Sequence, residues 1–103
     1  MIKEINKIDE FIRRVKNLNL EKIAMQKDES GFEDKDMYIF YNFEDFKNYM
    51  KKIKEYYLRE SERNNKIYMT VKEDEEIIVL IVGHHFVVND FSTTVYIVRK
   101  KIN

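Results

Sequence analysis

The two histidines of the chain, His84 and His85, are adjacent and follow Gly83 inside the most apolar stretch of the sequence, residues 77–88. Imidazole has an ordinary pKa near neutrality, so it serves both as an acid–base catalyst and as a metal ligand. Successive side chains of a β-strand leave on opposite faces, and we therefore expect the two rings to diverge. No other spacing gathers ligands around either ring, so the sequence predicts neither a metal site nor a cofactor.

An enzyme centred on His85, assisted by Tyr96 or Asp90, is an alternative interpretation of this pair. No serine or acid has a position that implies a catalytic triad, and the chain contains no cysteine. Two glycines in 103 residues also exclude a glycine-rich phosphate loop. We therefore expect a protein that is not an enzyme.

A second group of interesting side chains lies in residues 28–36, where carboxylates surround one phenylalanine. Carboxylates steer the approach of a basic partner, and an aromatic ring fills a pocket at the centre of an interface. The alternative is a solvated loop whose phenylalanine folds back onto the core, and the spacing does not match a calcium-binding loop. The partner-binding residues predicted here are Asp28, Glu29, Phe32, Glu33, Asp34 and Asp36.

Lys47, Lys51 and Lys54 form one outward stripe of a predicted helix and could contact the phosphates of a nucleic acid. Glutamates share this helix, and the whole chain carries 19 basic and 19 acidic residues, so no overall field favours nucleic acid. A nucleic-acid-binding module is therefore the alternative, and a protein partner with a basic surface is expected.

Seven elements must position these residues. Apolar residues at three- and four-residue steps predict helices over residues 5–18 and 43–63, with Asn42 as the N-cap of the second. Alternating and β-branched stretches predict strands over residues 20–27, 37–41, 66–72, 77–88 and 91–100. The order α-β-β-α-β-β-β predicts an α+β two-layer sandwich, in which two helices pack on one face of a mainly antiparallel five-stranded sheet. The length suits a single compact domain over residues 1–103.

A two-residue turn at residues 89 and 90 would set the register of the last two strands and place Gly83 opposite Tyr96. The face that carries His84 is then the more apolar one, so we expect the helices to cover it. Burial would lower the pKa of His84, because desolvation disfavours the charged imidazole. His85 and Tyr96 would lie on the open face, where Tyr96 covers the gap above Gly83 and both bind a partner.

The remaining composition points to an interacting protein. Seven tyrosines exceed what a core of this size needs, and tyrosine is favoured at interfaces, so a homodimer through the open face of the sheet is a further expectation. The chain has no cysteine for disulfides and no apolar stretch near the roughly 20 residues that span a bilayer. We expect a cytoplasmic protein without a membrane segment.

In its size, acidic segment, aromatic surplus and lack of catalytic motifs, the chain resembles the small phage-encoded inhibitors of bacterial defence systems, such as anti-CRISPR proteins, and toxin-neutralising immunity proteins. The resemblance is one of size and character, and no family motif carries it. It implies a non-enzymatic inhibitor whose acidic segment occupies a basic channel or cleft of the target, with Phe32 as the anchor.

Overall fold

The computed structural model of the protein describes residues 5–31, 33, 35–63, 66–87 and 90–101. Its elements follow the predicted order, and the α+β fold class is confirmed. They are the helices α1 (Asn6–Asn17) and α2 (Phe43–Glu62) and the strands β1 (Ile23–Glu29), β2 (Asp36–Phe40), β3 (Lys66–Glu73), β4 (Ile77–Val87) and β5 (Asp90–Arg99).

The five strands form one sheet in the order β2-β1-β5-β4-β3, and every neighbouring pair is antiparallel. Strand β1 pairs with β2, and the consecutive strands β3, β4 and β5 pair with their neighbours in the chain. The two groups join only where β1 pairs with β5, for example at Met25 and Val98. Strands β2 and β3 are therefore the edges of the sheet.

Each helix buries the apolar seam that its periodicity predicts. In α1 the buried residues are Ile8, Phe11, Ile12 and Val15. In α2 the buried residues are Phe46, Met50 and Tyr57. Asn42 caps α2 as predicted, because its side-chain oxygen accepts a hydrogen bond of 2.9 Å from the backbone N–H of Asp45.

Both helices cover the same face of the sheet, and the core lies between the two layers. Along β4, the side chains of Ile78, Leu80 and Val82 are fully buried, whereas Val79 and Ile81 between them are only half-buried. This alternation distinguishes a helix-covered face from an open face. Neither described helix combines the length and the apolarity needed to cross a membrane.

The predicted register between β4 and β5 is wrong. Gly83 pairs with Thr93 rather than with Tyr96, and Tyr96 pairs with Leu80. Tyr96 therefore lies on the helix-covered face, where it is 1% exposed. Its predicted place on the open face beside His85 is corrected accordingly.

Two features explain this difference of three residues. Asp90, which was predicted to lie in the turn, pairs with Val87 as the first residue of β5 and moves the register by two, and a β-bulge near the hairpin end moves it by one more. Val87 pairs with Asp90 and His85 pairs with Phe91, so β4 has one more residue than β5 between these two pairs. Because side chains alternate with a period of two, one extra residue exchanges the two faces of β5 relative to β4. The bulge thus determines which side chains of β5 enter the core.

Candidate functional site

The open face of the sheet carries most of the exposed large apolar side chains in the described part of the chain. Four residues of this face, from β2, β3 and β5, are each between 51% and 59% exposed: Met37, Ile39, Tyr68 and Phe91. The strand neighbours of Tyr68 on the opposite face, Ile67 and Met69, are buried, and Tyr38 and Phe40 beside Ile39 are half-buried. The exposed side chains therefore share one face of the sheet, with Met37 and Ile39 at one edge and Tyr68 at the other.

The ring of Phe91 packs over Gly83 on this face. A Cβ atom placed at Gly83 would lie 2.9 Å from Cζ of Phe91, so the ring occupies the space that a side chain at Gly83 would need. Phe91 pairs with His85 in the sheet and reaches Gly83 diagonally. The prediction that Tyr96 covers Gly83 is wrong, because the bulge moves Tyr96 to the core and leaves Phe91 in that position.

A shallow groove of about 350 Å³ lies on the same face, at the opposite end of β4. Its apolar residues are Ile77, Val79 and Ile81, and its rim includes Lys72 and Asp74. The open face therefore has an exposed aromatic ring at one end and an apolar concavity at the other.

The acidic residues predicted to act together are divided between the two faces. Asp28 lies on the open face, where its carboxylate accepts hydrogen bonds of 3.0 and 3.1 Å from Nε2 of Gln26. Glu29, the next residue, points to the helix-covered side and forms an ion pair of 3.0 Å with Lys27. The division arises because β1 continues through both residues, which were expected to lie in a loop.

The rest of the acidic segment is exposed where it is described. Glu33 and Asp36 are both solvent-exposed, and Asp36 begins β2. Phe32 and Asp34 lie outside the described residues. Gly31 provides the turn after β1 with a φ of +86°, a conformation that glycine adopts without strain.

A cleft of about 350 Å³ lies between α2 and the helix-covered face of the sheet. Helix α2 contributes Ile53, Tyr56 and Tyr57 to its wall. The strands contribute Lys27, Glu29, His84, Ser92, Thr94 and Tyr96. Two predicted partner-binding residues, Glu29 and Tyr96, are thus brought together here, among residues that the sequence did not single out as a site.

Positive charge is stabilised in this cleft. Burial disfavours the charged form of Lys27 and is the largest single effect, but the hydrogen bond to Glu29 and the nearby negative charge, chiefly that of Glu29, together raise the pKa of the lysine above its ordinary value. The ammonium group also lies 6.0 Å from the centroid of the Tyr96 ring. The pKa of Tyr96 itself is raised well above its usual range, chiefly by burial and then by Tyr57, so its hydroxyl stays protonated.

His84 lies at the inner end of the cleft and is 4% exposed, which confirms the predicted burial. Desolvation lowers its pKa, and the carboxylate of Glu60 at 3.9 Å opposes this effect. The ring packs edge-on against Tyr57 at a centroid distance of 6.0 Å. Burial thus favours the neutral imidazole, which extends from β4 and packs against α2.

His85 lies on the open face, away from this cleft. Its strand neighbours are Lys66 and Phe91. Tyr96 is on the opposite face of the sheet, so it cannot assist chemistry at His85. The side chain of Asp90, the other proposed assistant, lies outside the described part of the chain.

Two of the three lysines proposed to bind nucleic acid contact the first helix. Lys51 and Lys54 donate hydrogen bonds of 3.1 and 2.7 Å to the two carboxylate oxygens of Asp9 in α1. Burial raises the pKa of Asp9, but the combined effect of the two lysines is larger and opposite, so the pKa of Asp9 is lowered from its ordinary value. Lys47 is half-buried. Lys51 and Lys54 of this stripe thus connect α2 to α1 through Asp9.

Among the described residues, no three or more histidine and carboxylate side chains lie close enough together to hold a metal ion. Comparison with protein-family models, curated proteins and solved structures gives no significant match.

Proposed function

We propose that this protein is a non-enzymatic protein-binding domain and that the open face of the sheet is its binding surface. The observation that carries the proposal is the exposure of Met37, Ile39, Tyr68 and Phe91 on a single face. Large apolar side chains that are exposed together on one face of a protein are typical of a site of interaction. Aromatic residues and methionine are also the residue types enriched in interfaces.

The dimensions of the face suit a specific interface. Strands about 4.8 Å apart give a five-stranded sheet roughly 20 Å wide, and ten residues at about 3.3 Å each give roughly 33 Å of length. The product is on the order of 600 Å², close to the roughly 800 Å² per partner that a standard interface buries.

The charge at one end of the face supports a partner with a basic surface. Asp28 lies on the face, and the exposed residue Glu33 lies in the segment that follows β1. Complementary charge accelerates association and orients the partner. If the basic surface of the partner normally binds nucleic acid or substrate, docking inhibits it, as proposed for inhibitors of the anti-CRISPR or immunity type.

A second copy of the chain is the other candidate partner. Phe91 and the groove over Val79 lie at opposite ends of the same face. A two-fold axis in the interface would place the Phe91 ring of each copy in the groove of the other, and such self-complementary contacts are typical of closed dimers.

Two surface variants test the proposal. Phe91→Ser and Ile39→Thr remove apolar area from the open face, and Tyr41→Ser is the matched control because Tyr41 is exposed but lies beyond the end of β2. We expect sedimentation equilibrium to show a dimer, or affinity capture to recover a defined host protein, with either result lost in the double variant and kept in the control. A monomer that captures the same proteins with and without the two substitutions would refute the proposal.

A further inference from the structure

The outer edge of β2 is unpaired. The sheet has two edge strands, β2 and β3, and each of them pairs with one neighbouring strand. None of the segments that the structure describes pairs with β2 along its other side. Alternate backbone N–H and C=O groups of an edge strand point away from the sheet, so they can form hydrogen bonds with a further strand. The edge of β2 is therefore a place where another strand can be added.

Edge strands usually carry features that prevent such pairing, and β3 has them whereas β2 does not. Lys66 and Lys72 are exposed on β3, and charged side chains, lysine above all, oppose the approach of another strand. In β2 only the first residue, Asp36, is charged, and the other four are apolar or aromatic. The chain contains no proline, and β2 pairs with β1 through five consecutive residues without a bulge. The backbone of β2 is thus left open to a partner strand.

The side chains of this edge are available as well. Met37 and Ile39, on the open face, are more than half exposed. Tyr38 and Phe40 point to the opposite face, where Tyr49 of α2 packs against them at centroid distances of 5.0 and 5.5 Å. Helix α2 therefore covers one face of β2 and leaves the apolar side chains of the other face uncovered.

We propose that β2 pairs with β2 of a second copy of the chain, antiparallel across a two-fold axis, so that the two sheets become one. The register that overlaps all five residues of β2 places Tyr38 opposite Tyr38 of the other copy and Met37 opposite Ile39. Directly opposed side chains of antiparallel strands lie about 5 Å apart, so the exposed apolar side chains form two cross-strand pairs. Asp36 is then opposite Phe40, and no like charges face each other.

A contact between identical edges closes at two copies. It uses the β2 edge of both chains and leaves only the β3 edges, which Lys66 and Lys72 protect. Pairing of β2 with β3 of the next copy would instead repeat without closing and produce filaments. Because residues of the same face are opposite each other, both pairs of helices lie on one side of the joined sheet and both open faces on the other. The edge contact is separate from the open-face site and does not depend on it.

Sedimentation equilibrium of the full chain tests the proposal. The contact is short, so we expect a reversible dimer with a dissociation constant on the order of 100 µM. Ile39→Lys places a charge on the pairing edge and should raise this constant by about tenfold or more. Tyr68→Lys is the matched control, because Tyr68 is an equally exposed residue of the same face on the other edge strand. It should leave the constant unchanged.

Phe91→Ser separates this dimer from one that forms face to face. The substitution removes apolar area from the open face at β5, away from the β2 edge. An edge dimer should keep its dissociation constant in this variant, whereas a dimer that buries Phe91 should be lost. Loss of the dimer in Phe91→Ser would thus overturn the edge contact while supporting the open face as the binding surface.

Hydrogen exchange followed by NMR shows whether the backbone of β2 takes part. The β2 amides that point away from β1 should exchange rapidly in dilute protein and slowly in concentrated protein, because the dimer pairs them. The outward amides of β3 should exchange rapidly at both concentrations. In Ile39→Lys the outward β2 amides should stay rapid throughout, and the same spectra show that the variant is folded.

The absence of cysteine from the chain allows the register to be measured with single-cysteine variants. Met37→Cys mixed with Ile39→Cys should form an intermolecular disulfide faster than either variant alone, because these positions are opposite each other in the proposed register. Tyr68→Cys mixed with Thr70→Cys has the same spacing on β3 and gives the background rate.

Three results would overturn the proposal. The first is a monomeric wild type at about 1 mM, ten times the expected dissociation constant. The second is an equal effect of Ile39→Lys and Tyr68→Lys on dimerisation, and the third is cross-linking of the β2 mixture no faster than that of the β3 mixture. Protection of the β2 amides only after a different protein is added would also overturn it, because that protein would then supply the strand.

Discussion

Nε2 of His84 lies 3.9 Å from a carboxylate oxygen of Glu60, where the last turns of α2 cross the end of β4. Burial lowers the pKa of this histidine, and Glu60 only partly opposes the effect. An unfolded histidine titrates near pH 6.5. Below that pH, the unfolded chain therefore binds a proton that the native chain takes up less readily, so protonation favours unfolding.

The free energy of unfolding should accordingly fall as the pH is lowered from 7.5 through 6.5 towards the lower pKa of folded His84. His84→Gln should flatten this dependence, and His85→Gln should retain it because His84 is still present. Urea denaturation at several pH values measures the effect. The carboxylates of Asp9 and Asp74, whose pKa values are lowered from 3.8, act at lower pH. Equal slopes for the wild type and His84→Gln would contradict the assignment.

Substitution by alanine should have different effects on stability at the two glycines, Gly83 and Gly31. At Gly83 the added methyl group meets only the far end of the exposed Phe91 ring, so Gly83→Ala should change the free energy of unfolding by less than about 1 kcal/mol while displacing that ring. At Gly31 there is open space but φ is +86°, so Gly31→Ala should destabilise the fold by about 1 kcal/mol through the backbone. Denaturation and NMR contacts of the Phe91 ring distinguish the two effects.

The cap of α2 should be measurable by itself. Asn42→Ala removes the hydrogen bond to the Asp45 N–H and should lower the free energy of unfolding by about 1 kcal/mol. Asn48→Ala makes the same change at an exposed position inside α2, where alanine is the better helix former, so it should be neutral or slightly stabilising. Similar losses for both variants would mean that the cap is not the cause.

Substitutions of Lys51 and Lys54 distinguish a role of these lysines in stability from a role in nucleic-acid binding. Lys51→Glu and Lys54→Glu together place two negative charges beside Asp9, and the loss of both ion pairs should lower the stability by about 1 kcal/mol. Lys47→Glu, which has no contact with Asp9, provides the comparison. Binding of mixed oligonucleotides over a salt series should be negligible in all three proteins. Tight, steeply salt-dependent binding by the wild type alone would instead favour the nucleic-acid alternative.

Periodicity was sufficient to predict the elements of this fold. The seam of α1 at Ile8, Phe11 and Val15 and the cap at Asn42 are short-range patterns, and the structure confirms them. The register of β5 is different, because Val95 and Ile97 are as apolar as Tyr96 and Val98. Either set could face the core, and the extra residue of the bulge has no signature in the sequence.

The same ambiguity limited the prediction of the site. With Tyr96 assigned to the open face, the cleft that it shares with Glu29 could not be recognised. The available signal was the run of hydroxyl side chains Ser92, Thr93 and Thr94 at the start of β5, since hydroxyl groups in place of apolar side chains indicate where the core ends. Placing Asp28 and Glu29 in a loop also concealed their separation, because adjacent strand residues face opposite sides.

The position of β5 has a consequence for how the chain is made. This strand is synthesised after the other four strands, yet it lies at the centre of the sheet between β1 and β4. Until residues 90–99 leave the ribosome, β1 and β4 both expose unpaired edges, and the N-terminal hairpin has no strand that connects it to the rest. Unpaired edges recruit other chains. Nascent chains that stall before β5 should therefore aggregate or be held by chaperones, whereas chains completed through Arg99 should close the sheet in one step.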